Sequence, residues 1–168
     1  MGDPRVRPPT SDEMADLNAT LQRARSRLGI SEATTPADAV STTDAFIDSE
    51  QIERQKLLKG LYLLFFRNPD SLIDETGAVW GEQLVRAFGW RWQYAVREKE
   101  FERAVVSPEE SFVVYPGNYI GRMLRPPYDH VTLMLMFNMI QAGKLPESEP
   151  GGMEDISDGR LRHIVPKR

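Results

Sequence analysis

Two stretches in the second half of this chain carry side chains whose types and spacing could do chemistry. In "WRWQYAVR", Arg91, Gln93 and Arg97 alternate with Trp90, Trp92, Tyr94 and Val96, so a period of two places the polar set on one side of a strand. In "YPGNYIGRMLRPPYDH", spanning 115–130, Asn118, Tyr119, Arg122, Arg125, Tyr128 and His130 lie in a polar, loop-like segment. Guanidinium groups present fixed forks of donors that match carboxylate and phosphate oxygens, and amide and phenol groups add directional hydrogen bonds. Both sets therefore suit recognition of an anion or of a partner's acidic patch. The plainer alternative is a solvated strand face and a turn leading into a capped helix.

Catalytic signatures are scarce. The chain has no cysteine, which removes disulfides, thiolate metal ligands and cysteine nucleophiles together. Its two histidines, His130 and His163, have no second His at ligand spacing, so no metal site is expected. No phosphate loop, dinucleotide fingerprint, nucleophile elbow or zinc-protease motif occurs. His130 could act as a base, but spacing indicates no Ser or Asp partner. The expectation is a protein that is not an enzyme and needs no cofactor.

The net charge of −4 speaks against nucleic-acid binding, which needs clustered Lys and Arg against phosphates. The longest apolar run, "LLKGLYLLFF" at 57–66, is too short for a bilayer and contains Lys59, so no membrane association is expected. "MGDPRVRPPT" shows no apolar signal core, which points to a cytoplasmic protein.

The elements that must position these residues follow from hydrophobic period and punctuation. Residues 1–9 read as a loose arm. Ser11 is a plausible N-cap for a first helix over 11–28, with Met14, Leu17, Leu21 and Leu28 at helical spacing and Gly29 as C-cap. The polar back of this helix suggests that it lies on a surface or reaches a partner. Thr-rich residues 30–45 read as a linker, so that 1–45 forms an arm, helix and linker ahead of a core domain over 46–145. Within that core, Asp48 or Ser49 begins a helix to about Arg67, and Asp74 begins another to Phe88. Three strands at about 90–97, 101–107 and 111–115, joined by "EKE" and "PEE", form an antiparallel meander. A short helical turn near Tyr119–Leu124 and a closing C-terminal helix, capped by Asp129 and ending at Gly143, follow. Residues 146–168 read as a flexible tail. The fold class is α+β.

All three tryptophans and three glycines fall within "GAVWGEQLVRAFGWRW", 77–92. On a helical wheel Gly77, Gly81, Leu84 and Phe88 share one side. Each helix glycine costs up to ~1 kcal/mol relative to Ala, so another backbone or a large side chain should press against it. Core packing is the expected role for these aromatics and for Met134, Met136 and Met139.

The run "GAVWGEQLVRAFGWRWQ", then "VVSPEESFVVYPGNYIGRML", then an apolar helix, resembles a group of small bacterial domains similar to single-domain immunity proteins that neutralise toxins passed between bacteria. The likeness covers roughly residues 55–142. It implies a protein partner, a cognate toxin whose active site is occluded, and carries over no catalytic residue. An adaptor or chaperone for a secreted effector is the alternative, using the first helix and the Met-rich surface. A small-ligand binder or enzyme with a pocket between the 77–88 helix and the 115–130 segment is a third.

Overall fold

The computed structural model describes residues 5–57, 69–125 and 132–157. In chain order they form β1 (Val6–Arg7), α1 (Ser11–Leu28), α2 (Pro36–Leu57), α3 (Pro69–Phe88), β2 (Arg91–Arg97), β3 (Glu100–Val106), β4 (Phe112–Val114), α4 (Pro116–Leu124), α5 (Leu133–Gln141) and β5 (Glu154–Asp155). The architecture is α+β. Its helices pack on one face of a sheet with the order β1-β2-β3-β4-β5, antiparallel throughout except for the parallel β4–β5 pair. Among the described residues no helix is long and apolar enough to cross a membrane.

The predicted meander forms the centre of this sheet but is not the whole of it. β2 and β3 pair along their full length, from Arg91↔Val106 to Arg97↔Glu100. Their two-residue turn puts Glu98 and Lys99 at φ 49° and 82°, the mirror-image geometry that matches strand twist. β1 adds outside β2, with Val6 opposite Ala95 and Arg7 opposite Tyr94. The arm expected to be loose is thus held by backbone pairing, and by the Arg7 guanidinium gripping both Glu13 oxygens at 2.8 and 2.7 Å.

Helix α1 has its predicted bounds, but its cap is Thr10 rather than Ser11. Thr10 Oγ1 accepts from Glu13 N–H while Glu13 accepts from Thr10 N–H, a reciprocal capping box. Gly29 closes it at φ 66°. Its apolar stripe, Leu17, Leu21 and Ala24, packs into the chain's own core, so α1 does not reach outward. Buried Glu75 of α3 faces it and is held by Arg27 Nε at 2.9 Å, with Arg23 Nε at 3.9 Å.

The largest correction concerns residues 30–45. They are no linker from Pro36 onward: α2 starts there, with Pro in the first turn where a missing N–H costs nothing. Ala39, Val40, Thr43 and Ile47 are buried, and the Thr43 hydroxyl donates to Ala39 O at 2.8 Å. The core therefore begins well before Phe46. The continuation predicted to Arg67 lies outside the described residues beyond Leu57.

Beyond helix α5 the chain runs on into β5. The predicted tail over 146–157 is laid against the loop before β4 by backbone bonds. Gly151, Met153, Glu154 and Ile156 donate to the carbonyls of Glu109, Glu110, Ser111 and Val113. Residues 158–168 lie outside the described residues, as does Asp129; the observed cap of α5 is Thr132, with Asp44 of α2 accepting from Leu133 and Met134 N–H at 2.7 and 2.8 Å.

The glycines of α3 are packing devices. A Cβ on Gly81 would lie 2.2 Å from Trp92 Cη2, and one on Gly77 would lie 3.1 Å from Gly117 N. Trp80, Trp90 and Trp92 are all buried, as are Met136 and Met139. Gln83 of the same helix is also buried and donates to Val79 O at 3.0 Å.

Candidate functional site

The site begins with a strand that stops early. β4 pairs with β3 only at Val105↔Val114 and Val106↔Val113, because Pro116 lacks an N–H and has its φ set for a helix start. The chain then turns into α4, and Gly77 lets the start of α4 lie against α3. The first half of β3 is left without a neighbour on that side. A cleft of about 400 Å³ opens there, lined by Asp74, Gly77 and Ala78 of α3, Trp92 and Arg97 of β2, Glu102 and Arg103 of β3, Tyr115 to Asn118, and Arg125.

Three arginines and two carboxylates line this cleft. Arg103 is bound to Asp74 and lies 3.9 Å from Asp16. Arg97 lies 3.5 Å from Glu102 and 3.7 Å from Glu98, with its guanidinium 5.7 Å from the centre of the Tyr115 ring. Arg125 meets Asp70 at 2.6 Å, with both side chains more than half exposed. Burial, then the nearby Asp155 and Glu102 charges, push the Tyr115 phenol up to about 12. It remains a neutral donor, bonded to Val96 O at 3.1 Å. Such a set can hold an anion or a peptide group by exchanging one partner for another. An ion pair exposed on both sides, as Arg125–Asp70 is, is worth only about 0–1 kcal/mol, so its exchange costs little, whereas Arg97 and Arg103 are part-buried and held more firmly.

The structure brings Arg97, Asn118 and Arg125 together in the cleft. It does not bring the other described candidates there, namely Arg91, Gln93, Tyr119 and Arg122. Arg91 sits at the far end of β2, 3.6 Å from Glu110, and Gln93 is half-buried. The supposed solvated face of β2 is partly covered, since Ala95 packs with Ala104, Val106, Val113 and Tyr115 in a second small cluster. Tyr119 is buried, with its hydroxyl donating to Thr132 O at 3.4 Å. Arg122 donates to Ser157 O at 2.7 Å and straps the chain beyond β5. Tyr128 and His130 lie outside the described residues.

Sequence reasoning missed Asp74, Arg103 and Tyr115, while Glu102 belongs with the polar face of Arg91, Gln93 and Arg97 that the alternation predicts. One signal was available: Arg103 shares its strand face with Val105 and Phe101, so a period of two points a charge toward the helices, where it needs a partner. That partner, Asp74, had been read as a helix cap.

A second groove of about 610 Å³ runs beside α1, floored by Met14, Leu17, Leu21, Ile30 and Trp92. Its charges bond among themselves: Trp92 Nε1 donates to Glu82 at 3.2 Å, and Arg25 lies 3.8 Å from Glu82. No unpaired strand edge faces this groove as one faces the cleft. Among the described residues no group of three His, Asp or Glu side chains could hold a metal ion. Compared with protein-family models, curated proteins and solved structures, the chain has no match.

Proposed function

We propose that this chain is a non-catalytic binding protein that engages a protein partner through the cleft beside β3. Its partner would be a toxin whose active site it occludes, as the likeness of residues 55–142 to immunity domains implies. The observation carrying this reading is the cleft itself, a half-open strand edge ringed by three arginine–carboxylate pairs, of which Arg125–Asp70 is exposed. Its titratable groups are bound to one another, and its one phenol is held neutral, which suits recognition better than proton transfer. The effector-chaperone alternative loses support, because the apolar stripe of α1 and two of the three methionines of α5, Met136 and Met139, face the core.

The experiment is capture of the partner by the immobilised chain from the strain that encodes it, followed by affinity measurement with charge-reversed variants. Arg97→Glu and Arg125→Glu each weaken binding by about tenfold or more, while Arg91→Glu leaves it unchanged. Equal binding by all three variants removes the cleft from consideration. A captured partner without toxic activity removes the immunity reading.

A small-ligand role is the second reading, favoured by one fact: the cleft lies between the 77–88 helix and the segment after 115, where a ligand pocket was expected. Thermal stabilisation by a metabolite, abolished in Arg125→Glu, would select it.

A further inference from the structure

The ladder pattern of β3 defines what the cleft lacks. In a two-residue hairpin the residues flanking the turn, here Arg97 and Glu100, exchange both backbone bonds. Alternation then directs the N–H and C=O of Glu100, Glu102, Ala104 and Val106 toward β2. Those of Phe101, Arg103 and Val105 point to the other edge. β4 meets Val105 and then departs into α4. Phe101 and Arg103 therefore present two donors and two acceptors along the open edge that runs into the cleft, at the spacing of an extended chain. The opposite edge of the hairpin is closed by β1, with Val96 N–H also donating to Arg5 O at 2.8 Å.

We propose that the open edge of β3 at Phe101 and Arg103 takes an extended, acidic segment of a partner protein as an additional strand, in the line that β4 abandons. The guanidinium groups select the occupant. Arg97, Arg103 and Arg125 line the cleft, each already holding carboxylates that an incoming one can replace, and α4 opens on it with no side-chain cap and no acidic residue in its first turn. The Arg125–Asp70 pair is exposed on both sides, so Arg125 can turn to an incoming carboxylate at little cost. Phe101, 44 % exposed with the Arg7 guanidinium 5.2 Å from its ring centre, lies next along the same edge and offers apolar surface to the segment's alternate side chains. This inference rests on the cleft being the working surface.

The experiment selects a displayed library of linear heptapeptides on the intact chain and follows the enriched peptides by residue-resolved amide hydrogen exchange. Enriched sequences should alternate β-branched residues with Asp or Glu. At saturation, exchange slows at Phe101 and Arg103 by about tenfold, one hydrogen bond's worth, and stays unchanged at Glu102. N-methylating the peptide at alternate positions abolishes binding in one register and spares it in the other. Phe101→Pro, which removes an outward N–H and leaves the β2 ladder whole, weakens binding by about tenfold. If that variant does not fold, the N-methyl peptides make the same distinction on the unaltered protein. A library without enrichment, a peptide that protects neither amide, or equal binding by both N-methyl registers overturns strand addition. So does full competition by acetate or inorganic phosphate without amide protection, which marks a small-anion site. Binding that depends on Arg97 and Arg125 without amide protection refutes strand addition while sparing the cleft. Independence from both arginines refutes the cleft.

Discussion

Replacing Gly81 by alanine drives a methyl group into Trp92. An ideal Cβ at that position lies 2.2 Å from Trp92 Cη2, 2.6 Å from Cζ2 and 2.9 Å from Val105 Cγ2. Carbon atoms in contact prefer about 3.5–4.0 Å, so the indole must retreat by more than an ångström. The move is resisted because Trp92 is buried and its Nε1 is anchored on Glu82. Overpacking of this kind costs about 1–3 kcal/mol, and the severe overlap puts Gly81→Ala at the upper end. Alanine returns up to about 1 kcal/mol of helix propensity. The net loss is about 2 kcal/mol, or about 4–8 °C in Tm for a chain of this size. Trp92→Phe removes the offending ring atoms and leaves a void and a Glu82 carboxylate with one donor fewer, so alone it also destabilises. Combined, the alanine methyl occupies the vacated space, and Gly81→Ala/Trp92→Phe should be no less stable than Trp92→Phe. The coupling is about 2 kcal/mol, well beyond the few tenths expected of independent sites. Urea titrations with unchanged slope measure all four corners of the cycle. A Gly81→Ala midpoint at or above that of the parent, or strictly additive losses, refutes the close-packing account.

Three further outcomes follow from other contacts. The Arg7 hydrogen bonds, assisted by the Thr10 N–H, hold the Glu13 carboxyl down at about 2. Its contribution is present above the unfolded value near 4.5 and is lost as pH falls toward 2, so Glu13→Gln should flatten the acid limb of a stability–pH curve between those values. Arg27→Ala leaves Glu75 buried with Arg23 at 3.9 Å and should cost about 3 kcal/mol, whereas Glu75→Gln leaves a part-exposed arginine free to hydrate and should cost about 1 kcal/mol by chemical denaturation. A reversed order would mean that the pair does not clamp α1 to α3. Glu98→Asn/Lys99→Gly relieves two left-handed residues in the hairpin turn and should raise stability by about 1 kcal/mol; a fall in the urea midpoint would refute this.

Legibility in the sequence depended on how large and how periodic the buried side chains were. Helix α1 shows Leu17, Leu21 and Leu28 at helical spacing between a capping residue and Gly29, and it was read to the residue. The alternation from Trp92 to Arg97, with charged turns, made the β2–β3 hairpin equally plain. Helix α2 was missed because it buries small residues, Ala39, Val40 and Thr43, and satisfies the threonine internally. Such a stripe contributes close approach rather than bulk, and composition mistakes it for a loop. The β5 segment was missed for a different reason: its order comes from backbone bonds to the loop before β4, to which side-chain hydropathy is blind.

The candidate site divides in the same way. Arg97, Asn118 and Arg125 were legible as residues that bind anions or peptides, and Gly77 and Gly81 as places of close approach. Local sequence determined these, because residue type, helical period and backbone freedom are properties of a short stretch. That Asp74 and Arg103 belong with them, and that Arg122 and Tyr119 do not, was decided only by the tertiary structure. The cleft exists because β4 ends at a proline while β3 runs on, and Gly77 lets α4 come close enough to wall it. That geometry arises between elements far apart in the chain, where no local pattern records it.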